Sequence, residues 1–279
     1  MSYRSLLCIV RDGVTDFGHL EYAIGMARDF DAHLDVLCLG IDRVQRGFYY
    51  AGATVVAEPL TFHDTEVRAR ELKHDVDEIL IASDIRWSSE AIVSQWGSVG
   101  KAVQQVVRYG DLLILPRPYG SERGIEDEAI LEAALFEGPA PCLIVPPGWA
   151  SEAWATEPII ATNQGAEAIT AVRAGLPGLT TLGRANIAIV DPKRHGPEGS
   201  DPGGALSVLL ARHGVRAEIS VLTRNMPRIS DVLMRHIHDR KGDLLVMGAY
   251  GQSRLRESVL GGPTRDMLAE APVPVLMAH

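Results

Sequence analysis

The feature that most restricts how this chain can fold is an internal repeat. Gly110-Asp111-Leu112-Leu113-Ile114-Leu115 returns as Gly242-Asp243-Leu244-Leu245-Val246-Met247, 132 residues later. A Tyr-Gly follows each copy, as Tyr119-Gly120 and Tyr250-Gly251. Each copy then closes on Pro-x-Pro and an apolar run, Pro139-Ala140-Pro141-Cys142-Leu143-Ile144-Val145 and Pro272-Val273-Pro274-Val275-Leu276-Met277. A period this long exceeds the roughly 20–50 residues of a solenoid repeat and marks a duplicated domain. At roughly 150 residues per domain, a chain of 279 residues has room for two. The units are expected at 1–148 and 156–279, joined by a linker from Pro146 to Glu157 that starts Pro-Pro-Gly and turns polar.

Within each unit, short apolar runs alternate with amphipathic stretches. Strands are expected at Ser5–Val10, Leu34–Leu39, Ile85–Trp87, Leu112–Leu115 and Cys142–Val145, then at Ile159–Thr162, Ile187–Val190, Ala217–Val221, Leu244–Met247 and Val275–Met277. Most are almost continuously apolar, as strands covered on both faces are. Helical spacing runs through Leu20–Ala27, Val67–Ile81, Val99–Val107 and Ala129–Leu135, and through Ala166–Ala174, Ala205–Arg212, Ile229–Asp239 and Thr264–Glu270. Five strands alternating with four helices predict a doubly wound, Rossmann-like α/β unit, twice over. The breaker-rich stretch Pro192–Gly204 is expected to be a loop. Pro139–Val145 and Pro272–Met277 suit the edge of each unit's sheet, because proline is tolerated there. An exposed apolar edge needs cover, so residues 141–145 and 274–277 are expected to pair, making the chain a pseudo-dimer.

Composition narrows the function. A net charge of −9 argues against general nucleic-acid binding, since an acidic surface repels phosphate backbones. No apolar run reaches the length of a membrane span, and the N-terminus lacks a signal-peptide pattern. The three cysteines stand in separate apolar runs, which fits core thiols in a reducing cytoplasm. His236 and His238, two apart on a helix, do not share a face and hold no metal between them. Trp87 and Trp96 are expected to pack between layers or to anchor a partner.

The chemical signal lies near the C-terminus. The strand ending in Met247 runs into Gly248-Ala249-Tyr250-Gly251, nine residues follow, and then Gly261-Gly262-Pro263-Thr264 opens a helix. In open α/β sheets ligands bind beyond the carboxyl ends of the strands. Glycines there allow close backbone approach, and a helix N-terminus presents amides to phosphate. The pattern is neither a Walker A loop nor GxGxxG. A bland alternative is that the glycines only shape the turn and that Gly262 and Pro263 only start the helix.

The spacing Gly248-x2-Gly251-x9-Gly261 and the wording around it, Asp243 to Gly251 and Pro272 to Leu276, resemble the universal stress protein family in tandem form. The resemblance implies adenine nucleotide alpha hydrolase-like domains with strand order 3-2-1-4-5, paired through their last strands. It also implies cytoplasmic stress-response proteins, some of which bind ATP, ADP or AMP, with or without Mg2+. Carried onto this chain, the nucleotide contacts are Asn163, Val190, Met247, Gly248, Gly251, Gly261, Gly262 and Thr264. Asn163 stands where the family has an aspartate, and Gly262-Pro263 replaces its hydroxyl residue and removes one amide donor. In the first unit Asp12 fits the aspartate position, but Pro116 replaces the first glycine. Glu126, Asp127 and Glu128 stand where phosphates would approach and are expected to repel them.

No catalytic residue emerges. Slow ATP hydrolysis is the only activity to weigh, beside a nucleotide-free interaction role with other proteins or as a homodimer. No nucleic-acid or membrane partner is expected.

Overall fold

The computed structural model describes residues 2–11, 16–43, 58–120, 123–149, 154–192, 201–249 and 262–279. The chain adopts an α/β fold around one mostly parallel sheet. In chain order the elements are β1 (Ser5–Arg11), α1 (Gly18–Phe30), β2 (His33–Asp42), α2 (Glu58–Ile81), β3 (Arg86–Gln95), α3 (Val99–Val107), β4 (Leu112–Pro116), α4 (Ile125–Glu137) and β5 (Cys142–Val145). The second half follows with β6 (Pro158–Ala161), α5 (Ala166–Leu182), β7 (Arg184–Val190), α6 (Gly204–Arg212), β8 (Arg216–Leu222), α7 (Ile229–Arg240), β9 (Leu244–Gly248), α8 (Pro263–Glu270) and β10 (Val275–Ala278).

The ten strands form one sheet in the order β3-β2-β1-β4-β5-β10-β9-β6-β7-β8. Each half contributes five parallel strands in the order 3-2-1-4-5. The halves meet where β5 and β10 run antiparallel, with Val275 opposite Ile144, Leu276 opposite Leu143 and Met277 opposite Cys142. The two proline-flanked strands therefore lie at the centre of the sheet, and the join leaves neither edge open.

The repeated Gly-Asp has a physical role. The Asp111 carboxylate accepts from the amides of Arg4 (2.7 Å) and Ser5 (3.0 Å) at the start of β1. The Asp243 carboxylate accepts from the amides of Thr156 (2.7 Å) and Glu157 (2.8 Å) just before β6. The second proline of each Pro-x-Pro is equally matched. The Pro141 carbonyl accepts from Leu113 and the Pro274 carbonyl from Leu245, both at 2.9 Å. The repeat thus conserves the hydrogen bonds that fix strand register within each half.

Helices cover both faces. Leu20, Val76, Ala171 and Leu206 from α1, α2, α5 and α6 bury against one face. Val103, Ile130, Leu233 and Met267 from α3, α4, α7 and α8 bury against the other. Both apolar layers run through the two halves without a break.

α2 starts nine residues earlier than the spacing predicts, at Glu58 instead of Val67, and three further departures bear on the fold. β3 is ten residues long instead of three, paired with β2 from His33–Arg86 to Asp42–Gln95. Its exposed residues alternate with inward ones over its first half because it is an edge strand, packed mainly by α2. α5 continues to Leu182 through Pro177, since burial of Ala171, Val172 and Leu179 outweighs the missing hydrogen bond. The linker is not simply polar, for Trp154 is 4% exposed. Its ring meets Phe30 at 5.7 Å and Tyr3 at 6.1 Å between centroids, and its amide donates to Asp29 at 3.0 Å. A Cβ on Gly178 of α5 would lie 2.5 Å from the same indole. Trp154 thus wedges α1 of one half against α5 of the other. Most of the expected loop Pro192–Gly204 lies outside the described residues, as do the fourteen residues from 44 to 57 ahead of α2.

Trp154→Ala is expected to cost about 3–5 kcal/mol, the range for emptying a buried aromatic site. Urea denaturation should show a lower midpoint, whereas Trp87→Ala at the half-buried edge should cost less.

A cavity at the carboxyl ends of β6, β7 and β9

In the second half β6 lies between β7 and β9, the point where the strand order reverses and ligands enter open sheets. A cavity of about 270 Å³ opens there. Its floor is apolar: Ala161, Ala188, Val190 and Met247 from the three strand ends, with Ile229 and Leu233 of α7 along one wall. Its polar lining is Thr162, Asn163, Glu167 and Thr264.

Each polar side chain is placed by local chemistry. Thr162 Oγ1 accepts from the Gln164 amide at 2.9 Å, and Asn163 Oδ1 accepts from the Gly165 amide at 2.9 Å. This tight turn puts Gln164 in the left-handed region (φ 63°) and leaves the Asn163 amide nitrogen free to donate. Gly248 is required by contact. A Cβ on it would lie 2.6 Å from the Ala168 nitrogen and 2.8 Å from Glu167 Cβ, so only glycine lets α5 start this close to β9. Gly262 is extended (φ −170°) and Pro263 occupies the first turn of α8, bringing Thr264 to 4% exposure at the cavity wall. The helices flanking that wall are tied together. Arg228 donates to both carboxyl oxygens of Glu270 (2.8 and 2.9 Å), and Ser230 donates to Asp266 at 2.8 Å. The Arg228 hydrogen bonds hold the Asp231 and Glu270 carboxyls below their usual range.

Of the residues named from sequence, Asn163, Val190, Met247, Gly248 and Thr264 converge on this one cavity, with Pro263 beside them. Gly262 caps the adjoining helix. Gly251 and Gly261 lie outside the described residues. Glu167, Ile229 and Leu233 were missed. The i, i+4 spacing of the last two marks a helix face but not what it faces, and Glu167 is one more charge on a first turn.

The same position in the first half is filled. Counted from the Asp111 and Asp243 caps along β1 and β6, Arg11 holds the place of Asn163, and Pro116 that of Gly248. Asp12 lies outside the described residues. α4 has 13 residues where α8 has 8, and both stop just before their Pro-x-Pro. The extra turn inserts Asp127. Arg11 donates to both its oxygens, at 3.0 and 2.8 Å, with side chains 6% and 5% exposed. Arg123 approaches the same carboxylate at 3.5 Å, and Arg43 donates to Glu126 at 2.6 Å. The space left is about 10 Å³, room for one water at most. The expectation that Glu126 and Asp127 repel phosphate is corrected here: arginines neutralise both, and a buried ion pair occupies the site.

A second cavity of about 390 Å³ lies next to this plug, between the start of α1 and the ends of β4 and β5. His19 lines it, 4% exposed, with Nε2 3.1 Å from the Ile9 carbonyl oxygen. Burial, helped by the Arg123 charge, lowers its pKa from 6.5 to about 4.

Residues 145–279 match the model of the universal stress protein family. A universal stress protein of Synechocystis sp. is 25% identical over 150 residues, 53% of this chain and 50% of that protein, so the chain spans about half the length of this curated relative. The crystal structure of a universal stress protein from Archaeoglobus fulgidus superposes with a TM-score of 0.72 at 13% identity, covering 98% of this chain and 95% of that one. A functionally unknown protein from Pseudomonas aeruginosa gives a TM-score of 0.58 at 14% identity, covering 99% and 92%. Residues 145–279 therefore form a universal stress protein domain, and the first half repeats its α/β sheet.

The His19 environment gives a pH dependence of known sign. Below about pH 6.5 the unfolded ring binds a proton that the folded ring refuses until about pH 4. Stability from this group is present above pH 6.5 and is lost as the pH falls to about 4, by about 3 kcal/mol. Urea denaturation from pH 7 to pH 4 should therefore show a steeper loss for the native chain than for His19→Gln, the difference isolating the histidine from titrating carboxylates.

Proposed function

We propose that the C-terminal unit, residues 156–279, binds an adenine nucleotide, ATP or its ADP and AMP products, and that the chain works as a stress-response binding protein. On this reading residues 1–148 form a companion unit without a nucleotide site. The observation that carries the reading is the convergence of Asn163, Val190, Met247, Gly248 and Thr264 on one cavity at the strand-order reversal. Its chemistry suits a nucleoside. The Ala161, Ala188 and Val190 surfaces take a flat ring, and the Asn163 amide offers a donor to its edge. On this reading Thr264 and the N-terminus of α8 take the phosphate end. Among the described residues no cluster of His, Cys, Asp or Glu is arranged to hold a metal. Mg2+ would therefore arrive on the phosphates. No described helix is long and apolar enough to cross a membrane, and we place the protein in the cytoplasm. No described residue is assigned a catalytic step.

A second reading, a nucleotide-free interaction protein, is favoured by two features of the same cavity. Pro263 lacks the amide donor, and the Glu167 carboxylate opposes phosphate charge. The two are separated by denaturing freshly purified protein and identifying what is released by mass spectrometry. The nucleotide reading expects ATP, ADP or AMP near one per chain, lost in Gly248→Val and in Val190→Trp, which fills the cavity from its rim. Absence of nucleotide, together with no binding of added ATP and Mg2+, contradicts it and leaves the interaction reading.

A further inference from the structure

The larger cavity of the first half lies outside the nucleotide reading and has its own chemistry. Its walls at the strand ends are Pro116, Val145, Pro146 and Pro147. Prolines have no N–H, so polar contacts to a guest must come mainly from side chains. These are Arg117, Arg123, Tyr119 and His19, with Asp16 at the mouth.

The charges do not cancel. Asp127 is already matched by the two-point contact of Arg11, so Arg123, which reaches it once at 3.5 Å, is a surplus cation. Arg117 is half-buried, and its guanidinium donates to a neutral acceptor, the Ala271 carbonyl. Among the described residues no carboxylate pairs with it. Glu270, the carboxylate that senses it, is held by Arg228 through both oxygens. Burial pulls the Arg117 pKa below the usual arginine range. A cation taken from water without a counter-charge is costly. Asp16 stands exposed at the mouth, where water screens its charge, and one of its oxygens accepts from the Gly18 amide at 2.9 Å. That bond engages the first amide of α1, and the charged donors in the cavity lining are side chains. His19 is neutral, and its Nδ1 is left as an acceptor, since Nε2 serves the Ile9 carbonyl.

We propose that this cavity is a binding site for a small oxyanion, a carboxylate or phosphate group held between the guanidinium groups of Arg117 and Arg123. Arginine forks suit both groups through paired N–H donors. The Tyr119 hydroxyl and His19 Nδ1 serve a guest that also carries a hydroxyl. The site touches the second half, because Arg117 binds the Ala271 carbonyl at the end of α8 and Arg265 of α8 lies 5.9 Å from the centre of the Tyr119 ring.

The test is isothermal titration of the full chain at low ionic strength with inorganic phosphate and, separately, with malonate. One saturable site per chain is expected for at least one of the two, and the tighter of them identifies the phosphate or the carboxylate source. Arg117→Gln is expected to weaken it about 10- to 100-fold, as loss of charged hydrogen bonds does. Arg117→Lys, which keeps charge but not the fork, should fall between. Val190→Trp, which blocks only the other cavity, should bind as the native chain does. Saturable binding by neither anion overturns the proposal. So does unchanged affinity in an Arg117→Gln variant with native circular dichroism and Tm, and so does loss of the anion in Val190→Trp.

Discussion

The antiparallel pairing of β5 with β10 is the constraint on which the rest of the structure depends. Each half is a five-stranded parallel sheet whose last strand is short, apolar and flanked by prolines. Alone, that strand presents an unpaired apolar edge, which in water invites association. Pairing the two copies converts two exposed edges into one sheet of ten strands and lets both helix layers run across the join. The geometry is that of an isologous dimer carried on one chain. Because the strands meet antiparallel, their carboxyl ends point to opposite sides of the sheet. The halves therefore hold their strand-end positions apart, and Trp154, between α1 and α5, fixes how they sit.

That frame leaves each strand-end position to diverge without cost to the fold. In the second half, glycine at 248 admits the start of α5, a short α8 stops back from the strands, and a cavity remains. In the first half, proline replaces the glycine, α4 is extended, and Arg11 with Asp127 takes the space. A buried ion pair is weak evidence for stability. Here its result is steric: it excludes any ligand from the position that the other half keeps open.

Much of this was legible in the sequence because it rests on local pattern. The two Gly-Asp-Leu-Leu copies place strands and capping aspartates together, and the apolar runs at 112–115, 142–145 and 244–247 coincide with strands to within a residue. β3 was legible only at its start. This edge strand carries Ser88 and Glu90 on its open side, while Ser89 turns inward to donate to Asp77 of α2, so the run Ser88-Ser89-Glu90 looks like loop. Among the cavity's lining residues, Asn163, Val190, Met247, Gly248 and Thr264 could be named from strand ends and helix start. Glu167 could not, since its place depends on how closely α5 approaches Gly248. The Arg11–Asp127 pair spans 116 residues of sequence, and neither residue type announces the other. Trp154 was hidden by its polar neighbours in the linker.

The central claim is that the two halves share a scaffold and that only the second keeps its strand-end cavity for a nucleotide. Photolabelling the full chain with an azido-adenine nucleotide, followed by peptide mapping, tests it directly. The account predicts label on peptides containing 161–168, 188–190 or 247–264 and none on peptides containing 9–11 or 123–130. Label concentrated in the first half, or spread evenly over both, would contradict it.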